Sequence, residues 1–535
     1  MPAPAVIMNP DARVRMKRGF DVLADLLART IGPMQGQILS AAGSRSAPEL
    51  LVDAATIARR FLALPDRRED VGAMLARNLI WRVHQVVGDG CATAAALAQA
   101  MVAQAHRYSE AGADMASLRM GITAATDAAL DALRHMARPV CGERDLLNVA
   151  RTATAEPRIS VLLAEIYDIL GADAYVAVEE YLAPYLEREY LQGGQWKAYL
   201  ASPYLISSPE QQVAVLQDGA VALFAGEISE LDEIRPLLDI LASTGRRRLL
   251  LVANKISGSA LTTLVLNHQR QQIQVVAATL RRAGEHNRQD FADLALLTGA
   301  RLLTLETGDR LQAIIPAALG TVQYVKASAN MLIVSGRRDN PALREHITAL
   351  RQQLARVVVD REDERAALRQ RIGRLSGSVA TLKIGAPTRS EAALLCQKAE
   401  QGIHVLAGAL RDGVVLGGGV AYLNCIPALR QLRLSGDATY GAAAVAQALE
   451  APFRWIVANR GLRAPNVVLA EVRRCGPHYG YDAVADAVVD METSGILDGA
   501  GVDSAALHAA ASATAMLLST DVVVLKHRSE LSMEP

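Results

Sequence analysis

The stretch richest in possible chemistry is Val86-Val87-Gly88-Asp89-Gly90-Cys91-Ala92-Thr93-Ala94, a Gly-Asp-Gly turn that opens directly onto an apolar helix. Two glycines admit positive φ and let the backbone come close to a ligand. The following helix points its free N–H groups, and the positive end of its dipole, back at the turn, an arrangement that stabilises an anion and above all a phosphate. Asp89, a carboxylate beside phosphates, would serve as a magnesium ligand rather than a phosphate contact. The same residues also suit a tight turn that merely starts a helix, and a lone Gly-Asp-Gly does not separate the two. A second sharp glycine signal, Gly417-Gly418-Gly419, lies far along the chain. Little else points to chemistry. The ten histidines form no metal-spaced cluster, and no nucleophile–base pair is evident.

Hydrophobic periodicity defines the elements that must hold these turns. Ala94, Leu97, Met101 and Ala105 recur at helical spacing, which predicts a helix over about 92–107 with one buried face. Upstream, Ala5–Met8 reads as a short strand, and Asn9-Pro10 as a helix start with Asn9 as cap. Ala12, Met16, Phe20, Leu23 and Leu27 form a stripe ending near Thr30, and Ile31-Gly32-Pro33 breaks it. Gln37–Leu39 and Leu50–Val52 read as a hairpin, followed by helices near 69–87 and 115–137. The stretch 139–190 is mixed, and Gly193-Gly194 reads as a hinge. Short apolar strands at Val221–Phe224, Arg248–Val252, Gln274–Val276 and Arg301–Thr304 alternate with helices at about 231–243, 257–268 and 287–298. That alternation predicts an α/β domain with a largely parallel sheet. A helical hairpin over 341–375 follows, with the charged run Asp360–Arg365 as its solvated connector, and the chain is helical again from about 390 to a last strand, Val522–Leu525.

Composition bounds the function. A chain of 535 residues needs two to four domains, and 51% apolar with 21% charged residues is globular. Lys plus Arg and Asp plus Glu number 56 each, so no global field draws in nucleic acid or an anionic membrane. Five scattered cysteines (Cys91, Cys141, Cys396, Cys425, Cys475) without a CxxC argue for reduced thiols in a cytoplasm, against a disulfide framework or a zinc site. The N-terminus lacks the pattern of a signal peptide, and no apolar run is long enough to span a membrane.

The order is helical, mixed, α/β, mixed, helical, with one glycine-rich turn in each outer part. In this order, and in five collinear stretches, the chain resembles the GroEL-type (group I) chaperonins over nearly its whole length. Asn9–Asp25 is similar to the family's first helix, Gly88-Asp89-Gly90 followed by Leu97-Ala-Gln-Ala to its phosphate loop, and Ser202-Pro203-Tyr204 to the start of its apical domain. Asp412–Val420 and Gly495–Asp498 are similar to two further nucleotide-site segments. The resemblance implies a multi-domain α and α/β fold. A helical equatorial domain (1–135 and 412–535) would bind ATP and make ring contacts. A small mixed intermediate domain (136–191 and 378–411) would act as a hinge, and an α/β apical domain (192–377) would bind client protein and a lid co-chaperonin. The strands at 6–8 and 522–525 would be shared with neighbours in the ring.

The resemblance also implies site residues. Thr30, Gly32, Pro33, Gly88, Asp89, Gly90, Cys91, Ala92, Thr93, Gly418, Asp482 and Asp498 fall at nucleotide positions, Asp89 at the magnesium position and Asp53 at a family carboxylate. Leu200, Tyr204, Leu205, Leu238, Leu261, Val265 and Leu266 would supply an apolar client groove, in which Arg235 replaces a usually apolar residue. The departures concern chemistry. Three threonines usually follow the Gly-Asp-Gly, and here Cys91, Ala92 and Thr93 do. Ile31-Gly32-Pro33-Met34-Gln35-Gly36 lacks two usual cations, and Val52 replaces a usual lysine. The family's catalytic aspartate position holds Gln401. The expected function is therefore a chaperone for a narrow set of clients, binding ATP with Mg2+ and hydrolysing it weakly. A structural subunit of mixed rings and an ordinary ATP-cycling foldase are the alternatives. Divergent GroEL-like proteins encoded beside bacterial di-iron monooxygenases are one such specialised class. The tail Ser529–Pro535 lacks the family's Gly-Gly-Met-rich ending. Partners would be client protein, a lid, and a homomeric or mixed ring, without nucleic acid or membrane.

Overall fold

The computed structural model describes residues 5–34, 36, 38–40, 49–51, 53–61, 63–172, 174–181, 183–191, 193–207, 212–281, 284–328, 330–336, 341–357, 361–376 and 379–525. Gln35, Gln37, Val52, Asp360 and Ser529–Pro535, all singled out in the sequence, lie outside these residues. The chain divides into two compact units. Unit 1 comprises Met1–Ala172, Glu180–Leu186 and Ile384–Pro535, and unit 2 comprises Asp173–Glu179 and Glu187–Lys383.

Unit 1 begins with β1 (Ala5–Met8), α1 (Asp11–Ala28), the hairpin β2 (Ile38–Ser40) and β3 (Glu49–Leu51), α2 (Ala54–Arg60), α3 (Arg67–Val87), α4 (Cys91–Glu110), α5 (Met115–Met136), α6 (Glu143–Thr154) and α7 (Pro157–Leu170). Its core joins Phe20, Leu23 and Leu27 of α1 to Ile80, Leu97, Met101, Ile122 and Leu133 from α3, α4 and α5. Each such side chain, fully buried, contributes roughly 1.5–3 kcal/mol. α1 and α3 cross in backbone contact: a Cβ on Gly19 would lie 1.7 Å from the Glu69 carbonyl oxygen, and one on Gly72 1.8 Å from that of Met16. Asn9 does not cap α1. Its amide donates to Asp521 Oδ1 (2.6 Å) instead, and Pro10 occupies the cap position.

Unit 2 contains most of β4 (Tyr175–Glu180) and β5 (Leu186–Leu191), and then β6 (Gly194–Leu200), β7 (Ala214–Ile228), α8 (Leu231–Ser243), β8 (Arg248–Ile256), α9 (Gly258–Gln269), β9 (Gln274–Leu280), α10 (Glu285–Thr298), β10 (Leu302–Thr304), β11 (Gly320–Ala327), β12 (Met331–Ser335), α11 (Pro341–Arg356), α12 (Glu362–Ser376) and most of β13 (Val379–Ile384), which lies between β4 and β5. The expected parallel sheet is mixed. β10–β7, β7–β8 and β8–β9 pair in parallel, whereas β7–β11, β11–β12, β12–β6 and β6–β9 pair antiparallel. The reason is the length of β7: Ala214–Val221 pair with β11 and Ala220–Ile228 with β8, so one strand joins an antiparallel to a parallel region. The helical hairpin forms as α11 and α12, but the charged run is not all connector, because Glu362–Arg365 already belong to α12. α12 docks on α10 through ion pairs almost without solvent, Arg374 Nη1 to Asp290 Oδ1 (2.7 Å) and Arg371 Nη2 to Asp293 Oδ1 (2.7 Å).

Unit 1 resumes with α13 (Arg389–Asp412), β14 (Val414–Leu416), α14 (Val420–Arg430), α15 (Ala438–Ala448), α16 (Ala451–Arg460), α17 (Pro465–Cys475), β15 (Tyr479–Asp482), β16 (Ala487–Asp490), β17 (Leu497–Gly499), α18 (Ala500–Ser519) and β18 (Val522–Leu525). β1 and β18 pair antiparallel with each other, Val6 opposite Val524, so each strand expected to lie against a neighbour has a partner in its own chain.

Candidate functional site

Both glycine turns face one cleft of about 610 Å³ in unit 1, a volume typical of cofactor sites. α3 ends on Gly88 (φ 72°) and α4 starts after Gly90 (φ 76°). A Cβ on Gly88 would lie 2.6 Å from Cβ of His404 on α13, and one on Gly90 2.8 Å from Val502 Cγ1 on α18, so both helices close directly on the turn. β14 and β17 pair so that Val415 lies opposite Asp498, which places the triple-glycine turn beside that carboxylate.

Three carboxylates come together here, Asp503 buried and Asp89 and Asp498 half-buried. Asp89 Oδ1 accepts hydrogen bonds from the Gly90 N–H (2.6 Å) and from Gln401 Nε2 (2.8 Å). Burial raises its pKa, and those two donors oppose the rise. Asp498 is pushed up to about 7, first by burial and then by the charge of Asp89, against a hydrogen bond from the Gly418 backbone. Asp503 is raised well above the carboxylate range by burial and then by Asp498, and its Oδ2 has no hydrogen-bond partner among the described residues. Asp53 lines the same cleft and caps α2, accepting from the Thr56 N–H (2.7 Å) and hydroxyl (2.9 Å).

The cleft also gathers Thr30, Gly32, Pro33, Ala92, Thr93 and Gly418 from the sequence expectations. Two expected residues differ in role. Cys91 lies at the cleft, but its thiol turns to the Ile80 carbonyl (3.6 Å) in the core. Asp482 does not line it. Its carboxylate accepts from the Val484 and Ala485 N–H groups, and so holds the turn that presents Tyr481, Ala483 and Val484 to the cleft. Sequence reasoning missed Arg59, His84, Arg151, Lys398 and His404, which also line it. No local motif marks them. The usable signal was helical phase, since Lys398, Gln401 and His404 recur every three residues on one face of α13.

The donor set fits a hard divalent cation. Asp89 and Asp498 repel each other where water is scarce, and a cation between carboxylates relieves that cost. No group of three or more His, Cys, Asp or Glu among the described residues would hold a metal alone. Magnesium binds through one or two carboxylates and completes its shell with water and phosphate oxygens, and Asp89 and Asp498 line the cleft. The N-terminus of α4 presents free N–H groups to an anion beside it.

In unit 2, Leu200, Leu238, Leu261 and Val265 are half-buried against an apolar cluster, while Tyr204 (68% exposed) and Leu266 (44%) reach solvent. Leu205 is fully buried and offers no surface. Arg235 is exposed and pairs with Asp232 (2.7 Å). No helix among the described residues is long and apolar enough to cross a membrane.

Comparison with known proteins agrees with this architecture. The chaperonin gp146 from the bacteriophage EL 2 (Pseudomonas aeruginosa), crystallised in presence of ATP-BeFx, superposes with a TM-score of 0.72 over 98% of this chain and 99% of that one, at 16% identity. At that identity the likeness is one of fold. The model of the TCP-1/cpn60 chaperonin family matches residues 206–528, more than half of the sequence. With the fold and a family match both in place, the chain belongs to the TCP-1/cpn60 chaperonin family as a divergent, GroEL-like member.

Proposed function

We propose that this chaperonin holds ATP with Mg2+ in the carboxylate-lined cleft, hydrolyses it slowly, and assists folding or assembly of a narrow set of client proteins. The observation that carries the reading is the 2.8 Å hydrogen bond from Gln401 Nε2 to Asp89 Oδ1. At the position from which a carboxylate would accept a proton from water, the chain has an amide whose N–H is turned to a carboxylate. Loss of a general base costs about 10²–10⁴ in rate. A glutamine still orients water, so turnover is slow rather than nil.

The remaining residues retain binding. The first turn of α4 faces the phosphates with backbone N–H groups, and Thr93 adds a hydroxyl. Asp89 and Asp498 hold magnesium, which supplies charge neutralisation on phosphate oxygens when bound. Arg59, Arg151 and Lys398 replace the cations missing near Met34 and Val52. Tyr481, Ile456 and Pro452 give the base an apolar wall. The presence of ATP-BeFx in the gp146 crystals supports this reading. The exposed Tyr204 and Leu266 supply client contacts, and the neighbouring Arg235 narrows the clients accepted. The chain works in the cytoplasm as a ring of its own copies, with a lid co-chaperonin as partner.

Steady-state ATP hydrolysis and fluorescent-nucleotide binding, measured on the full chain and on Gln401→Asp, test the reading. Wild type is expected to bind nucleotide and barely turn over, and the variant to gain at least about tenfold in rate. Ordinary chaperonin turnover by wild type, or no nucleotide binding by either protein, would overturn it. Co-purification of an ordinary chaperonin would instead favour a mixed ring.

A further inference from the structure

Unit 2 carries a second cavity, of about 580 Å³. It is lined by Asp218-Gly219-Ala220 of β7, Gly245–Arg248 between α8 and β8, and Thr321-Val322-Gln323 of β11. Arg246, Arg247 and Arg248 are consecutive and exposed. The Arg248 guanidinium is fixed by the Gln217 carbonyl (2.9 Å), while Arg246 and Arg247 have no ion-pair partner among the described residues. The Gln274 N–H donates to the Arg247 carbonyl (2.7 Å), which ties the start of β9 alongside. The floor is strained. Asp218 sits at φ 47° within β7, opposite Gln323 and outside the ladder that pairs Gln217 with Tyr324 and Gly219 with Val322. Positive φ is uncommon for a non-glycine residue, and such positions concentrate at functional sites.

The charge exceeds what the fold needs. α8 and α9 both end at this edge, each with about half a negative charge at its C-terminus. Those ends and Asp218 offset about two of the three arginine charges and leave about one in surplus. In a chain with zero formal net charge, this is a local, built excess. Guanidinium groups take carboxylates in paired, planar hydrogen bonds. Nucleic acid would need aromatic platforms for its bases or a long cationic track for its backbone, and the cavity residues include no Phe, Tyr or Trp.

We propose that the Arg246–Arg248 cavity is a docking site for an acidic, extended polypeptide segment of a bound protein. It lies outside the cleft of unit 1 and rests on no reading of that cleft. The test is fluorescence anisotropy of a labelled hexaglutamate peptide with the full chain, beside hexalysine and a single-stranded oligonucleotide of equal charge. Hexaglutamate is expected to bind, to weaken as salt screens exposed charges, and to lose affinity by about tenfold or more in Arg246→Glu/Arg247→Glu. Arg119→Glu, an exposed change in unit 1, is expected to leave binding unchanged. Thermal unfolding confirms that the double variant is folded, and Arg246→Gln/Arg247→Gln takes its place if it is not. Retention of hexaglutamate by the folded variant overturns the proposal. Tighter binding of the oligonucleotide than of hexaglutamate also overturns it.

Discussion

Asp498 is the cleft residue whose charge is most exposed to pH. Its folded pKa of about 7 lies above the unfolded value of about 3.9. Between those values the unfolded chain ionises while the carboxyl in the folded chain stays protonated. The group's contribution therefore falls as pH rises from about 4 to about 7 and is level above that, by at most about 1.4 kcal/mol per pH unit. Metal-free protein is expected to show a falling stability in urea unfolding over this range, and Asp498→Asn to reduce the slope, the remainder coming from Asp89 and Asp503, whose carboxyls burial also raises. A second expectation concerns the cations. Arg151→Glu/Lys398→Glu should weaken fluorescent-ATP binding about tenfold or more, most strongly at low salt. Unchanged affinity would place both side chains away from the phosphates. The legibility of these residues follows from their origin. Gly88, Asp89 and Gly90 form a contiguous signal because a tight turn must be local in sequence. Arg59, Arg151 and Lys398 come from three helices distant in sequence, and nothing local distinguishes them from solvated cations.

At the scale of elements, close approach and buried charge make the sharpest expectations. Gly72→Ala drives a methyl group into the Met16 carbonyl and must part α1 from α3, at about 3 kcal/mol. Gly408→Ala, in α13, meets nothing nearer than Arg411 Nη2 at 3.8 Å and should stabilise by up to about 1 kcal/mol. Chemical denaturation separates the two. In unit 2, Arg374→Leu leaves Asp290 charged in the core and should cost about 3–5 kcal/mol, and Arg374→Leu/Asp290→Leu should recover most of it. Long helices were readable because their stripes run for many turns: α4, α5 and α8 lie within a few residues of their expected bounds. The sheet was less readable. Val221–Phe224 is only the buried centre of β7, and alternation with helices concealed the antiparallel partners that β11 and β12 supply. α2, of seven residues, is too short for a stripe to mark.

For the whole molecule, the sequence pattern changes from helical ends to an α/β middle, and the structure divides into two units. The closure of unit 1 was not legible, because strand pairing between β1 and β18 leaves no trace in either strand alone.

That closure has a consequence for synthesis. A ribosome delivers the chain from the N-terminal side, so β1 emerges long before its partner, β18. Unit 2 is nearly continuous from Glu187 to Lys383 and can complete its core while unit 1 still waits for α13–α18. Nascent chains arrested once Lys383 has emerged should therefore resist protease across unit 2 while α1, α3 and α4 are still cleaved. Until β18 emerges, Val6 and Met8 stay unpaired on an apolar strand, an edge open to wrong partners. A member of a family that shelters unfinished proteins thus spends most of its own synthesis unfinished at its first strand.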